Sequence, residues 1–406
     1  MGRQRKDKII LKATGNRTKK LCPLMLAIPI LFAFNLCLFA QDTTLADKEM
    51  RLAIEDIVGA KIPGLSVAIA NKEGIIWSGA AGHSNFEDNK TVSQSHLFGI
   101  GNITNNFIAV VILQLAAENR LDLNSTSQSI LGESVSEIDN ADKATLLQLL
   151  NHTSGIYSWD HDADWARRGR GVQMNPKYKW AKNEPLKYIS RNRHKATNEP
   201  GMAVSYSKSN YTLLGLIVEK ITERSIEDEV RARILDPLSL KDTYYESYEY
   251  VPDGNLTGSY HLATGEFITK IGINAKFNYF DHGDNNLINT SGASLSAEGI
   301  AGGIVSTPRD LAIFATALKG GKLINEQALS HIYANPAKSE FIGIHSGILG
   351  YTSDMYWLEN NDLVIVSLAN IGVVGNGKNE TSDLLDNYVE KILLPIALKY
   401  VNNPEQ

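Results

Sequence analysis

Residues Phe98–Asn124 read FGIGNITNNFIAVVILQLAAENRLDLN. From Asn102 onward the apolar residues recur at helical spacing and give way to a polar NRLDLN, so a helix is predicted over about residues 102–119. Asn102 and Asn105 stand three apart at its start. Asparagine is among the better helix caps, worth about 1 kcal/mol over alanine. Asn102 is therefore expected to cap this helix, and Asn105 or Asn106 to bond back to it. Neither side chain offers nucleophilic or basic chemistry. An amide nitrogen carries no proton that a neighbouring base removes at ordinary pH, and the amide is neutral and hardly protonates.

Outward from this stretch the periodicities alternate. LADKEMRLAIEDIV (Leu45–Val58) reads as a helix, and GLSVAIANKEGIIWSGAAG (Gly64–Gly82) as two strands around a Lys-Glu-Gly turn. KATLLQLLNHTSG is a short helix running into a loop, and NYTLLGLIVEKIT with SIEDEVRARIL is a helical pair. STPRDLAIFATAL opens with Thr307 as a cap, Pro308 in the first turn and Asp310 placed to answer back. GILGYTSDMYWLENNDLVIVSLAN (Gly347–Asn370) alternates like a hairpin of buried strands, and a last helix spans about residues 383–400. Strands near both ends with helices between them predict an α/β fold. One sheet built from both ends is expected, with a helical lobe inserted over about residues 100–300.

The first forty residues read differently. Eight Lys/Arg and one acid precede an apolar run from Leu21 to Phe39, and Ala40 is followed by polar QDTT. That order is a secretory signal, and residues 41–406 are then the exported domain; the alternative is an uncleaved N-terminal anchor. Residues 1–40 contribute +7 to a chain of formal charge −5, leaving about −12 on the remainder. An acidic body argues against nucleic acid or an anionic membrane as partner. Both cysteines, Cys22 and Cys37, lie in the leader, so the rest has neither disulfide nor thiol chemistry. WDHDADW (Trp159–Trp165) and FDHGDNN (Phe280–Asn286) gather Asp and His, but neither has the spacing of a zinc motif or a calcium loop. No cofactor or metal is expected.

Five segments, in order, resemble the serine β-lactamase-related family of class C β-lactamases, DD-peptidases and esterases. They are FGIGNITNNFIAVVILQLAAENRLDL, LLQLLNHTSGI, PGMAVSYSKSNYTLLGLIVEKIT, AGGIVSTPRDLAIFATAL and HSGILGYTSDMYWLENNDLVIVSLAN. The resemblance implies a serine nucleophile at a helix start, a lysine one turn on, a tyrosine in the second motif, and a Lys or His in the third. Carried onto this chain, the serine position is Asn102 and the lysine position Asn105. The tyrosine is Tyr206, the asparagine two residues after it is replaced by Lys208, and the third motif is His345, Ser346 and Gly347. Backbone N–H groups of Asn102 and Ile348 would form the oxyanion hole.

The resemblance thus implies an α/β fold with a mainly antiparallel sheet flanked by helices and an inserted helical lobe, while the residues deny the usual acyl-enzyme route. One reading is a catalytically silent relative whose cleft keeps a small-molecule or peptide-like ligand, with Lys208 and His345 offering a positive centre for a carboxylate. The alternative is a serine-type hydrolase with a displaced nucleophile. SYSK (Ser205–Lys208) is the sole S-x-x-K in the chain, so Ser205, or Ser207 beside it, is the candidate.

Overall fold

The computed structural model describes residues 45–402 apart from 61, 266, 275–276, 283–284, 334–340, 359–361 and 373–379. The expected signal lies outside the described residues. Contacts divide the chain into Met1–Thr43 and Thr44–Gln406, and all the described residues belong to the second unit.

A six-stranded antiparallel sheet joins the two ends of this unit. Its order is Phe341–Ile348, Tyr351–Leu358, Leu363–Ala369, Gly64–Asn71, Gly74–Asn85 and Lys90–Thr91. The N-terminal strand Gly64–Asn71 therefore sits between its own hairpin partner and the C-terminal strand, with Leu65 opposite both Ala81 and Ala369. Side chains alternate between two covered faces. Leu65, Val67, Ile69, Tyr356 and Ile365 pack outward with Met50, Ile54, Leu385 and Leu393 of the terminal helices. Ala68, Ala70, Met355, Trp357, Val364 and Val366 pack inward with Phe107 and Phe314. These two rings stack at 4.0 Å, joining the helices Thr104–Ala117 and Pro308–Lys319. Two smaller sheets complete the fold: Phe98–Gly99, Ile304–Ser306 and Thr243–Tyr245, and a four-stranded one that contains the hairpin Asn278–Asn289. The mixed α/β, mainly antiparallel architecture expected from the sequence is the one observed.

The helix start differs from expectation. A 3₁₀ turn occupies Gly101–Ile103, the α-helix begins at Thr104, and its cap position is Ile103, which makes no side-chain cap bond. Asn102 therefore caps nothing. Packing explains why the helix does without a cap. Phe107, Ile108, Val110, Val111, Ile112, Leu113 and Leu115 are all buried. Burying each is worth roughly 1.5–3 kcal/mol, against about 1 kcal/mol for a cap. The Pro308 helix keeps half of its expected start: Thr307 accepts from the Asp310 N–H at 3.2 Å. The Asp310 carboxylate does not return the bond; it accepts from the Asp242 N–H (2.8 Å) and the Thr243 hydroxyl (3.0 Å).

Among the described residues no helix is long and apolar enough to cross a membrane. In the first Asp/His segment Asp162 caps the helix Ala163–Gly169 and accepts from Arg193 and His194, a structural role. The second lies on the hairpin Asn278–Asn289, and its Gly283 and Asp284 fall outside the described residues.

Candidate binding cleft

Three chain segments meet at the 3₁₀ turn. Gly101 takes φ +48°, in the left-handed region that favours glycine, and a Cβ there would lie 2.2 Å from the Ser346 Oγ. That bare position lets the Phe341–Ile348 strand close on the turn. The Asn102 backbone N–H then donates to Ser346 Oγ at 2.6 Å. One turn on, Asn105 Nδ2 donates to the Tyr206 hydroxyl at 3.2 Å. Asn105 therefore bonds the tyrosine rather than Asn102. Asn106 turns away, donating to the Ile103 carbonyl and accepting from Tyr333.

Tyr206 is held from behind by His152 in the NHTSG loop. The two rings lie 4.5 Å apart, and His152 Nδ1 accepts from the Ser207 N–H at 3.1 Å. Burial lowers the His152 pKa to about 4, so the ring is neutral at physiological pH. Tyr206 as a residue is 39 % exposed, while its hydroxyl is buried. Desolvation of its hydroxyl, then the nearby Asp160 charge, pushes its pKa well above the ordinary value, so the phenol stays protonated.

The remaining residues expected here point elsewhere. Lys208 is 2 % exposed and its Nζ pairs with Glu298 at 2.7 Å. Glu298 also accepts from Arg170 Nε at 2.7 Å. Burial alone would raise the Glu298 pKa, but the Arg170 and Lys208 charges hold it below the usual carboxylate range. The expected free cation for a carboxylate is thus a neutralised buried pair. Ser205 Oγ lies 3.2 Å from Thr197 Oγ1 and is not joined to Lys208, so SYSK is not a coupled serine–lysine pair. Ser207 Oγ is buried and has no hydrogen-bond partner among the described residues.

His345 lies on the opposite face of its strand from Ser346. It pairs in register with Asp354, with Nδ1 3.0 Å from Asp354 Oδ1, and Nε2 is 3.3 Å from Asp386 of the helix Glu380–Tyr388. It therefore ties the outer face together and does not enter the cleft. Gly347 follows opposite Thr352, and Ile348 lies buried against Gly101. The expected oxyanion pair is altered as well, because the Asn102 N–H already has an acceptor in Ser346. Ser346, named in the third motif without a role, and His152 are the contributors whose part here the sequence did not assign. Their motifs, HSG and NHTSG, were visible, but which side chain of each turns inward was not.

The geometry thus gathers two amides, a protonated phenol and a serine hydroxyl at one helix start. The Beta-lactamase family profile matches residues 50–343, well over half of the chain. The chain belongs to the Beta-lactamase family. Within this family member the match takes in Asn102, Asn105, Tyr206 and Lys208, and stops just before His345. Protein flp of Staphylococcus aureus (strain MW2) is 27 % identical over 196 residues, 48 % of this chain but 37 % of that protein. Penicillin-binding protein 4 of Amycolatopsis lactamdurans is 27 % identical over 180 residues, 44 % of each. The chain thus matches less than half the length of these curated relatives. Among solved structures, D-amino acid amidase from Ochrobactrum anthropi SV3, complexed with L-phenylalanine amide, superposes with TM-score 0.72 at 22 % identity. That match covers 87 % of this chain and 99 % of the amidase, and the likeness is one of fold.

Proposed function

We propose that this Beta-lactamase family chain is an exported binding protein with a catalytically silent cleft that holds a small, peptide-like or acyl ligand. The observation that carries the reading is the pair Asn102 and Asn105. By resemblance they occupy the nucleophile and lysine positions, and Asn105 reaches the Tyr206 hydroxyl at 3.2 Å. The cleft keeps its shape-giving contacts while offering neither a nucleophile nor a base. Loss of a nucleophile that acts as part of a catalytic unit costs on the order of 10⁶ in rate. A small ligand is supported by the amidase of the same fold, whose structure holds L-phenylalanine amide. Export is supported by the basic-then-apolar order of residues 1–40.

The displaced-nucleophile reading loses support from the separation of Ser205 from Lys208. Covalent labelling tests both. Full-length protein incubated with a fluorophosphonate and with a reactive β-lactam is expected to carry no adduct by intact mass. An adduct mapped by peptide mass spectrometry to Ser205, Ser207 or Ser346 would replace the silent reading with a hydrolase.

A further inference from the structure

The chain just before Tyr206 is extended, and its backbone groups divide by side. The Gly201, Ser205 and Ser207 N–H groups donate inward, to the Thr153 carbonyl (2.7 Å), the His152 carbonyl (2.8 Å) and His152 Nδ1 (3.1 Å). The Ala203 carbonyl accepts from Asn198 Nδ2 at 3.3 Å. Along an extended chain the backbone groups of successive residues point to opposite sides. The N–H and C=O of Val204 and the N–H of Tyr206 accordingly face the other way, and they have no hydrogen-bond partner among the described residues. Ser207, at φ −149° and ψ 119°, keeps the extended form up to the helix Lys208–Thr222.

The side chains follow the same period of two. Met202 and Val204 are each 77 % exposed and Tyr206 is open at its ring, whereas Ser205 is half-buried and Ser207 buried. An apolar row beside an unpaired backbone edge holds both halves of a strand-addition site. The main-chain groups supply affinity and the alternate side chains supply specificity. The stretch Gly201–Ser207 is too short for a stable contact with a second copy, which takes roughly 20–30 residues a side. It matches one extended peptide strand. With about −12 of formal charge beyond residue 40, a peptide carrying positive charge is the one drawn to it.

We infer that Val204–Tyr206 takes up an extended, positively charged peptide as an added antiparallel strand. Val204 exchanges its N–H and C=O with one peptide residue. The peptide residues two places to either side lay apolar side chains along Met202 and Tyr206. This rests on the reading that a peptide-like ligand is bound here rather than cleaved, and it names the main-chain edge that holds it.

The probe is acetyl-Leu-Lys-Leu-Lys-Leu-amide, titrated into full-length protein by calorimetry at neutral pH. It is expected to bind. Methylation at its leucine nitrogens, which face the edge, is expected to cost about tenfold in affinity, and methylation at its lysine nitrogens less than about threefold. Val204→Pro removes the N–H at a strand edge, where proline is tolerated, and is expected to weaken the probe about tenfold. Val204→Thr keeps the N–H and most of the affinity. The proposal is overturned if the probe does not bind, if leucine methylation costs no more than lysine methylation, or if folded Val204→Pro keeps full affinity. Where that variant fails to fold, the two methylated peptides on the unaltered protein decide. The labelling experiment reports on a nucleophile and this one on a backbone edge, so either can fail alone.

Discussion

At the scale of single residues, two contacts set the cleft and its surroundings. Ser346→Ala removes the acceptor of the Asn102 N–H in a buried place, where an unsatisfied donor costs about 1–3 kcal/mol. The urea midpoint is expected to fall accordingly, with an unchanged slope. Glu298→Gln goes further, because it strands Lys208 and Arg170 in the interior. Breaking a buried pair costs about 3–5 kcal/mol, whereas Arg191→Ala, which removes half-exposed pairs with Asp139 and Asp142, is expected to cost less than about 1 kcal/mol. Comparable losses for the two would show that the Glu298 pair is not the buried structural unit described. The same pair explains why Lys208 misled sequence reasoning. A lysine beside a motif tyrosine looks like an available charge, and its counter-ion lies 90 residues away in sequence.

At the scale of elements, strand phase decides what a motif does. Successive residues of Phe341–Ile348 face opposite sides, so HSG presents either its histidine or its serine to the helix start. Motif resemblance carried no information on this phase, and the structure turns Ser346 inward and His345 outward. His345 then joins Asp354, Tyr356 and Asp386, linking the sheet to the helix Glu380–Tyr388. Burial pushes Asp354 up to about 6. Burial works downward on His345, but the hydrogen bond and charge of Asp354, with Asp386, outweigh it and raise the net value. A raised histidine pKa stabilises the fold fully below the unfolded value of about 6.5, and the contribution fades as pH climbs through the folded value. Asp354 acts in the same direction, since its folded form retains a proton that the unfolded chain releases above about pH 4. The stability difference between the parent and His345→Gln is therefore expected to be at its full value below about pH 6.5 and to shrink as pH rises through the raised folded value in urea titrations. A difference independent of pH would contradict the outer-face linkage.

At the scale of the whole molecule, much of the fold was legible. Leu65, Val67 and Ile69 alternate with small residues, and Leu363–Ala369 is apolar throughout, so a sheet drawn from both ends followed from local pattern. The helical middle followed from spacing, and the order of segments from resemblance. The cleft was less legible. Tyr206 meets the helix start through Asn105, a contact that the expected Asn102–Asn105 bond did not foresee, and the 3₁₀ turn that displaces the helix start, the inward serine and the buried Lys208–Glu298 pair likewise depend on contacts between segments far apart in sequence. The central claim is that the cleft is structurally intact and lacks its reactive side chains. Its most direct test is the double substitution Asn102→Ser with Asn105→Lys, challenged with a fluorophosphonate beside the unaltered protein. An intact cleft predicts an adduct at position 102 in the variant and none in the parent. Labelling of the parent, or a folded variant that stays inert, would contradict it.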